Sequence, residues 1–398
     1  METKLLKNCK IIENKKVITT NILIEGSKIK KIKRASMKAN EIINVKGNIV
    51  LPGLIDSHVH FREPGLTHKE DFLTGSIAAA SGGITTILDM PNTIPPTTTL
   101  KLLEEKRKLA KKSIVNYGFH FGASVNNLGE IKKATRIASV KIFMDQSTGD
   151  LKINDDNTLR KIFLSAKMIS VHAEGKNVEK AISFIKNTKN SLYLCHLSSK
   201  EEIDMVKKNK IRNKIYAEVT PHHLFLLEED VLKMGRLATM KPMVKTKLDQ
   251  NALFYAINKG IIDTIATDHA PHLKEEKEQG SYGVPGVETM LPLLLDAVNK
   301  KRLRLEKVQR LCCWNPAKIF KIKNKGFIKE GFDADLTIID LNLKKKVGED
   351  PFLSKCEWSP FEGKTLKGWP ITTIVNGSIV WDKGNIYDVK AKEVDYYE

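Results

Sequence analysis

The sequence predicts an α/β protein, a (β/α)8 TIM-type barrel joined to a smaller β domain built from both chain ends. Three observations lead there. Apolar runs alternate with helix-like segments through the middle, short β-type runs sit at both termini, and every histidine falls in the middle. With 398 residues and 41% hydrophobic content, the chain can bury a full core.

The terminal runs come first. "NILIEGSKIKKI" near the start, and "DADLTIIDLN" and "TTIVNGSIVWDKG" near the finish, are strand-like stretches broken by Gly, Asn and Asp. They are expected to pair in one sheet domain made of residues 1–49 and 327–398. Residues 50–326 carry eight candidate strands: "IVLPGLIDSHVHF", "ITTILDM", "VNYGFHFG", "SVKIFMD", "MISVHAE", "SLYLCHLSS", "KIYAEVTPHH" and "DTIATDHAPH". Segments such as "KEDFLTGSIAAASGG" and "TTTLKLLEEKRKLAKK" read as helices between them. Eight strands so spaced suit a barrel whose active site lies at the strands' C-terminal ends.

Composition narrows the function classes. The formal charge of +19 comes from lysines spread along the whole chain with no nucleic-acid-binding motif, so a solvated surface that attracts small anions is expected, not a nucleic-acid partner. No apolar run reaches the roughly 20 residues of a membrane span and the N-terminus has no signal-peptide pattern, so a cytoplasmic protein without a membrane partner is expected. The five cysteines are scattered and form no CxxC pair, which reads as reduced bystanders.

All ten histidines lie between His58 and His272, most at a predicted strand end. In His58-Val59-His60 the two-residue strand period sends both rings to one side of the sheet, and imidazole is the commonest metal ligand. An isolated pair of this kind is a weak signal. Lys141, His172, His196 and Asp268 share the same strand-end address, however, and coincidences of this kind multiply. His172 and His196 also read as bonded core residues, and Asp268 as a helix cap. Lys141 resists a structural reading, because an amine inside an apolar strand must pair, lose its charge or be modified.

This arrangement resembles the cyclic-amidohydrolase branch of the amidohydrolase superfamily, and "DSHVHFREPG" with "DMPNTIPPTT" is similar to dihydroorotases in particular. The resemblance spans nearly the whole chain. It implies that the small domain is a β-sandwich and that His58, His60 and Asp268 hold one zinc ion while His172 and His196 hold a second. Carboxylated Lys141 would bridge the two ions, although some relatives use an aspartate, which keeps Asp145 as the alternative. The implied reaction is the reversible cyclisation of N-carbamoyl-L-aspartate to L-dihydroorotate, with hydroxide between the metals and Asp268 as proton shuttle.

Arg62, two positions past His60, is expected on the same face, offering a planar fork to the substrate's carboxylate, with Asn92 and His272 as further contacts. Lys241 in "ATMKPMVK" departs from the asparagine that many dihydroorotases carry there, and the charged, Gly-rich loop after His272 reads as a solvated loop or a cover for the site. Allantoinases and dihydropyrimidinases or hydantoinases are the alternative activities, and a non-catalytic homologue is disfavoured because every ligand position is filled. The resemblance leaves open a homodimer or an association with aspartate transcarbamoylase.

Overall fold

The computed structural model describes residues 2–146, 150–389 and 391–397, and its strands separate into two sheets. One has nine strands and draws on both chain ends: β1 (Thr3–Glu13), β2 (Lys16–Glu25), β3 (Lys28–Lys33), β4 (Glu41–Asn44) and β5 (Ile49–Pro52) from the start of the chain. After the barrel come β14 (Leu336–Lys346), β15 (Thr365–Val375), β16 (Ser378–Asp382) and β17 (Asn385–Ile386). The ends meet where β5 pairs antiparallel with β14 from Ile49 opposite Ile339 to Pro52 opposite Leu336. Along β15 buried positions alternate with more exposed ones from Thr365 to Ile371, and the sheet covers a core of its own.

The second sheet holds eight parallel strands in sequence order: β6 (Leu54–Val59), β7 (Ile84–Asp89), β8 (Asn116–Gly122), β9 (Ser139–Phe143), β10 (Met168–His172), β11 (Ser191–Leu194), β12 (Ile215–Val219) and β13 (Thr264–Ile265). A bridge between Val59 and His269, with the His60 amide donating to the His269 carbonyl at 2.8 Å, joins its two edges into a nearly closed barrel. Residues of β6 through β9 are buried throughout, as expected of strands covered on both faces. Among the described residues, no helix is long and apolar enough to cross a membrane.

One candidate strand divides in two. "IVLPGLIDSHVHF" reads as a single apolar run, yet Ile49–Pro52 pairs in the nine-stranded sheet and Leu54–Val59 in the barrel. Gly53 makes the crossing: a Cβ there would lie 2.1 Å from Thr85 Oγ1, so any side chain would press against β7. The helices lie where the sequence places them, over Phe72–Ser81 and Leu100–Ala110, the first opened by a capping box between Asp71 and Thr74.

Candidate active site

At the C-terminal ends of the barrel strands, five imidazole and carboxylate groups from β6, β10, β11 and the segment after β13 converge. His58 Nε2 and His60 Nε2 lie 3.1 and 3.0 Å from the same oxygen, Asp268 Oδ1. His172 Nδ1 and His196 Nε2 face each other at 2.9 Å. The His58 and His196 rings are 5.4 Å apart, so the two groups adjoin. His196 and Asp268 have φ of 36° and 48°, and Arg62 has 62°. A side chain in the left-handed region is strained, and strain of this kind collects at functional sites.

Electrostatics make the first group ready for a cation. Burial disfavours charge on His58, yet Asp268 and Glu218 on either side raise its pKa well above the usual imidazole range. Burial would likewise raise Asp268, but His58 and His60 hold it well below the usual carboxylate range. The two carboxylates thus favour positive charge at this point. Burial takes His60 and His172 down to about 3 and also lowers His196 well below its normal value, so these rings are neutral and have lone pairs to give. Convergent neutral imidazoles with one carboxylate form a donor set of the zinc type, and donors 2.9 to 3.1 Å apart can share one ion at about 2.0–2.2 Å from each.

Two further buried groups shape the centre. Glu218, on β12, accepts from His58 Nδ1 at 2.9 Å, from the Tyr193 hydroxyl at 2.7 Å and from the His196 amide at 2.9 Å. Sequence reasoning passed over it, although an acid inside the apolar run "IYAEV" is the same signal that singled out Lys141. Lys141, on β9, is buried with its Nζ 3.1 Å from Cys195 Sγ, a weak acceptor, and 5.2 Å from the centre of the Phe143 ring. Cys195 is thus no bystander: it is buried and unpaired like the other four cysteines, but it touches the site, and with His58 and Glu218 it forms a second cluster of ligand atoms. Asp145 is turned to other work. Its oxygens accept from the Glu174 amide at 2.7 Å and Asn177 Nδ2 at 2.8 Å.

Not every histidine belongs here. His120 is satisfied within the core by Ser139 Oγ at 2.7 Å and the Ser57 carbonyl at 3.0 Å, and His223 by Thr220 Oγ1 at 2.7 Å and the Pro242 carbonyl at 3.0 Å.

Beside the ligands opens a small cleft, lined by His60, Arg62, Asn92, Lys241, Asp268 and Tyr282 among others. Arg62 reaches it by a route other than strand alternation, since β6 ends at Val59 and the left-handed turn at Arg62 aims the side chain inward. Its guanidinium is buried, with Nε donating to the Pro271 carbonyl at 3.1 Å and Nη2 3.0 Å from His272 Nε2. Burial lowers the Arg62 pKa only to about 10, so it stays charged. Burial and then the Arg62 charge lower His272, which is neutral. The Arg62 and Asn92 loops are locked together at Gly65, where a Cβ would meet the Ile94 carbonyl at 2.0 Å. Asn92 does more than face the cleft: its Oδ1 accepts from His60 Nδ1 at 2.7 Å and so orients a ligand ring.

The loop after His272 is anchored. Within it the helix Lys274–Glu278 carries Lys277, whose buried ammonium donates to the carbonyls of Thr239, Ser281 and Gly283 at 2.6, 2.9 and 2.8 Å.

Comparison with known proteins agrees with this geometry. The amidohydrolase family matches residues 49–380. Dihydroorotase of Methanosphaera stadtmanae is 38% identical over 99% of this chain and 100% of its own length, and that of Pyrococcus furiosus 37% identical over 95% and 92%. Among solved structures, the L-hydantoinase (dihydropyrimidinase) of Arthrobacter aurescens superposes with a TM-score of 0.93 at 30% identity, covering 99% of this chain and 100% of that one. Dihydropyrimidinase from Brevibacillus agri shares the fold at a TM-score of 0.91 and 24% identity, over 99% and 98% of the two chains. The hydrolase chemistry, the barrel and the cluster of ligand atoms thus point one way: the chain belongs to the amidohydrolase family, and within it to the dihydroorotases.

Proposed function

We propose that this enzyme interconverts N-carbamoyl-L-aspartate and L-dihydroorotate, the third step of pyrimidine synthesis, using two zinc ions. The observation that carries the reading is a cleft in which Asp268, between two imidazoles, lies alongside a buried arginine. His58, His60 and Asp268 would hold one ion, and His172 and His196 the other, with carboxylated Lys141 between them. Bound there, the ions supply Lewis acidity that makes water a nucleophile near neutral pH and polarises the carbonyl under attack.

The chain's own residues do the rest. Asp268, ionised, takes a proton from the attacking water and hands it to the ring nitrogen as the amide bond breaks; ring closure runs the same transfer backwards. Arg62, with His272 against it and Asn92 beside it, would fix the ring carboxylate and so the carbonyl's distance from Asp268. Glu218 holds the His58 ring through Nδ1, leaving Nε2 free to ligate. The carboxylation of Lys141 is supported by its setting, because addition of carbon dioxide turns a buried amine whose nearest acceptor is a thiol into an oxygen ligand. The bonds Asp145 already makes favour Lys141 over it.

The structural likeness to hydantoinases makes a cyclic amide without a carboxylate the competing substrate. The test is a panel of dihydroorotate, allantoin, hydantoin and dihydrouracil on enzyme whose zinc has been counted. Dihydroorotate should be turned over best with two ions per chain; preference for any other ring rejects the reading.

A further inference from the structure

The cleft holds more positive charge than the residues assigned above account for. Arg62 gives Nε to the Pro271 carbonyl and turns Nη2 to His272, so by itself it does not surround a carboxylate. Lys241 lines the same cleft. It is half-buried, its ammonium stands 4.4 Å over the Tyr282 ring, and among the described residues it has no carboxylate within ion-pair distance. The ring face takes up only part of an ammonium with three donors, which leaves donors for an anion.

The wall that carries Lys241 is rigid. The Lys277 ammonium bonds Thr239 through both carbonyl and hydroxyl, at 2.6 and 3.2 Å, and the carbonyls of Ser281 and Gly283 on either side of Tyr282, at 2.9 and 2.8 Å. The Gly283 amide closes the same seam by donating to the Thr239 carbonyl at 3.0 Å. Thr239 is two residues before Lys241, so one buried amine pins both the lysine's strand of loop and the ring beneath it. A long side chain gains most from such pinning, since less of its freedom is left to lose on binding.

We propose that Lys241 is a second cation of the carboxylate subsite, a specificity-determining residue that meets the substrate's carboxylate from the Tyr282 wall while Arg62 meets it from the His272 side. The inference rests on the dihydroorotase reading. A lysine gives full charge to a contact that an asparagine could serve only through a dipole. The contact is made alike to bound substrate and to the reacting state, so it governs binding and not turnover.

The test is steady-state kinetics of the zinc-loaded enzyme on dihydroorotate, for wild type, Lys241→Gln and Lys241→Arg, at low and high salt. Lys241→Gln should raise KM about tenfold with kcat within about threefold. Lys241→Arg should recover most of that loss, and the salt dependence of KM should be weaker in the glutamine variant than in wild type. An unchanged KM, a fall in kcat alone, or an arginine variant as impaired as the glutamine one overturns the assignment. A wild type that does not turn over dihydroorotate overturns the underlying activity instead, so the two failures are told apart.

Discussion

The two halves of the ligand cluster are built differently. In the half made by His58 and His60, each ring is braced from behind: His58 Nδ1 by Glu218 at 2.9 Å and His60 Nδ1 by Asn92 at 2.7 Å. In the half made by His172 and His196, the rear nitrogens are buried without a hydrogen-bond partner, the nearest carboxylate being Glu174 Oε1, 3.8 Å from His172 Nε2. The protein thus orients the first pair before any ligand arrives, because a bonded rear nitrogen fixes both tautomer and ring angle. The second pair has no such fixture. On the proposed assignment its order would come from a bound ion and from Lys141. A chelator should therefore empty the His172 and His196 half first.

Substitutions can break this contrast. The largest effect belongs to Asp268, which faces both imidazoles of the braced half and is proposed to carry the proton. Asp268→Asn should lower kcat by about a thousandfold while substrate still binds, and a variant within a few-fold of wild type would remove Asp268 from the chemistry. Next is Lys141: Lys141→Ala should purify with about one zinc per chain in place of two and lose most activity, whereas Asp145→Asn should keep both. The opposite pattern would hand the bridge to Asp145. Mass analysis of undenatured wild type should show the added carbon dioxide.

A smaller effect comes from taking the brace away. Glu218→Gln should weaken zinc binding in the His58 half by about 10- to 100-fold, making the halves more alike in a chelator titration, and no change would mean that the brace does not matter. Smallest for activity is a carboxylate outside both halves. Burial raises Glu288, which accepts from the Leu353 and Ser354 amides at 3.1 and 3.2 Å, to about 7. The folded protein then holds a proton that the unfolded chain releases near its ordinary value, so this group's contribution to stability falls as pH rises toward 7. Denaturation of Glu288→Gln should accordingly shift in favour of the variant by up to about 3 kcal/mol between pH 5 and 8, and parallel curves would refute the shift.

How legible the site was depended on whether a residue carried its own signal. Lys141 did, being an amine in an apolar strand. Glu218 carried the same signal and was missed, because the groups that satisfy it, His58 and Tyr193, come from other strands and no local spacing announces them. Arg62 was placed in the cleft by extending the strand's alternation, yet the strand stops at Val59 and a left-handed turn does the aiming. The strand pattern was readable nearly throughout, since parallel strands buried on both faces appear as continuous apolar runs. That same continuity hid the break at Gly53, where one run serves two sheets. The charged loop after His272 reads from sequence as either a solvated loop or a cover, and the burial of Lys277 against three carbonyls leaves no local trace.

The measurement closest to the central claim compares kcat/KM for dihydroorotate and dihydrouracil in wild type and Arg62→Ala. A buried guanidinium matched to a carboxylate predicts that wild type prefers dihydroorotate, and that Arg62→Ala loses about 10- to 100-fold on it while the neutral ring is little affected. Equal losses on both rings, or a wild-type preference for the ring without a carboxylate, would contradict the account.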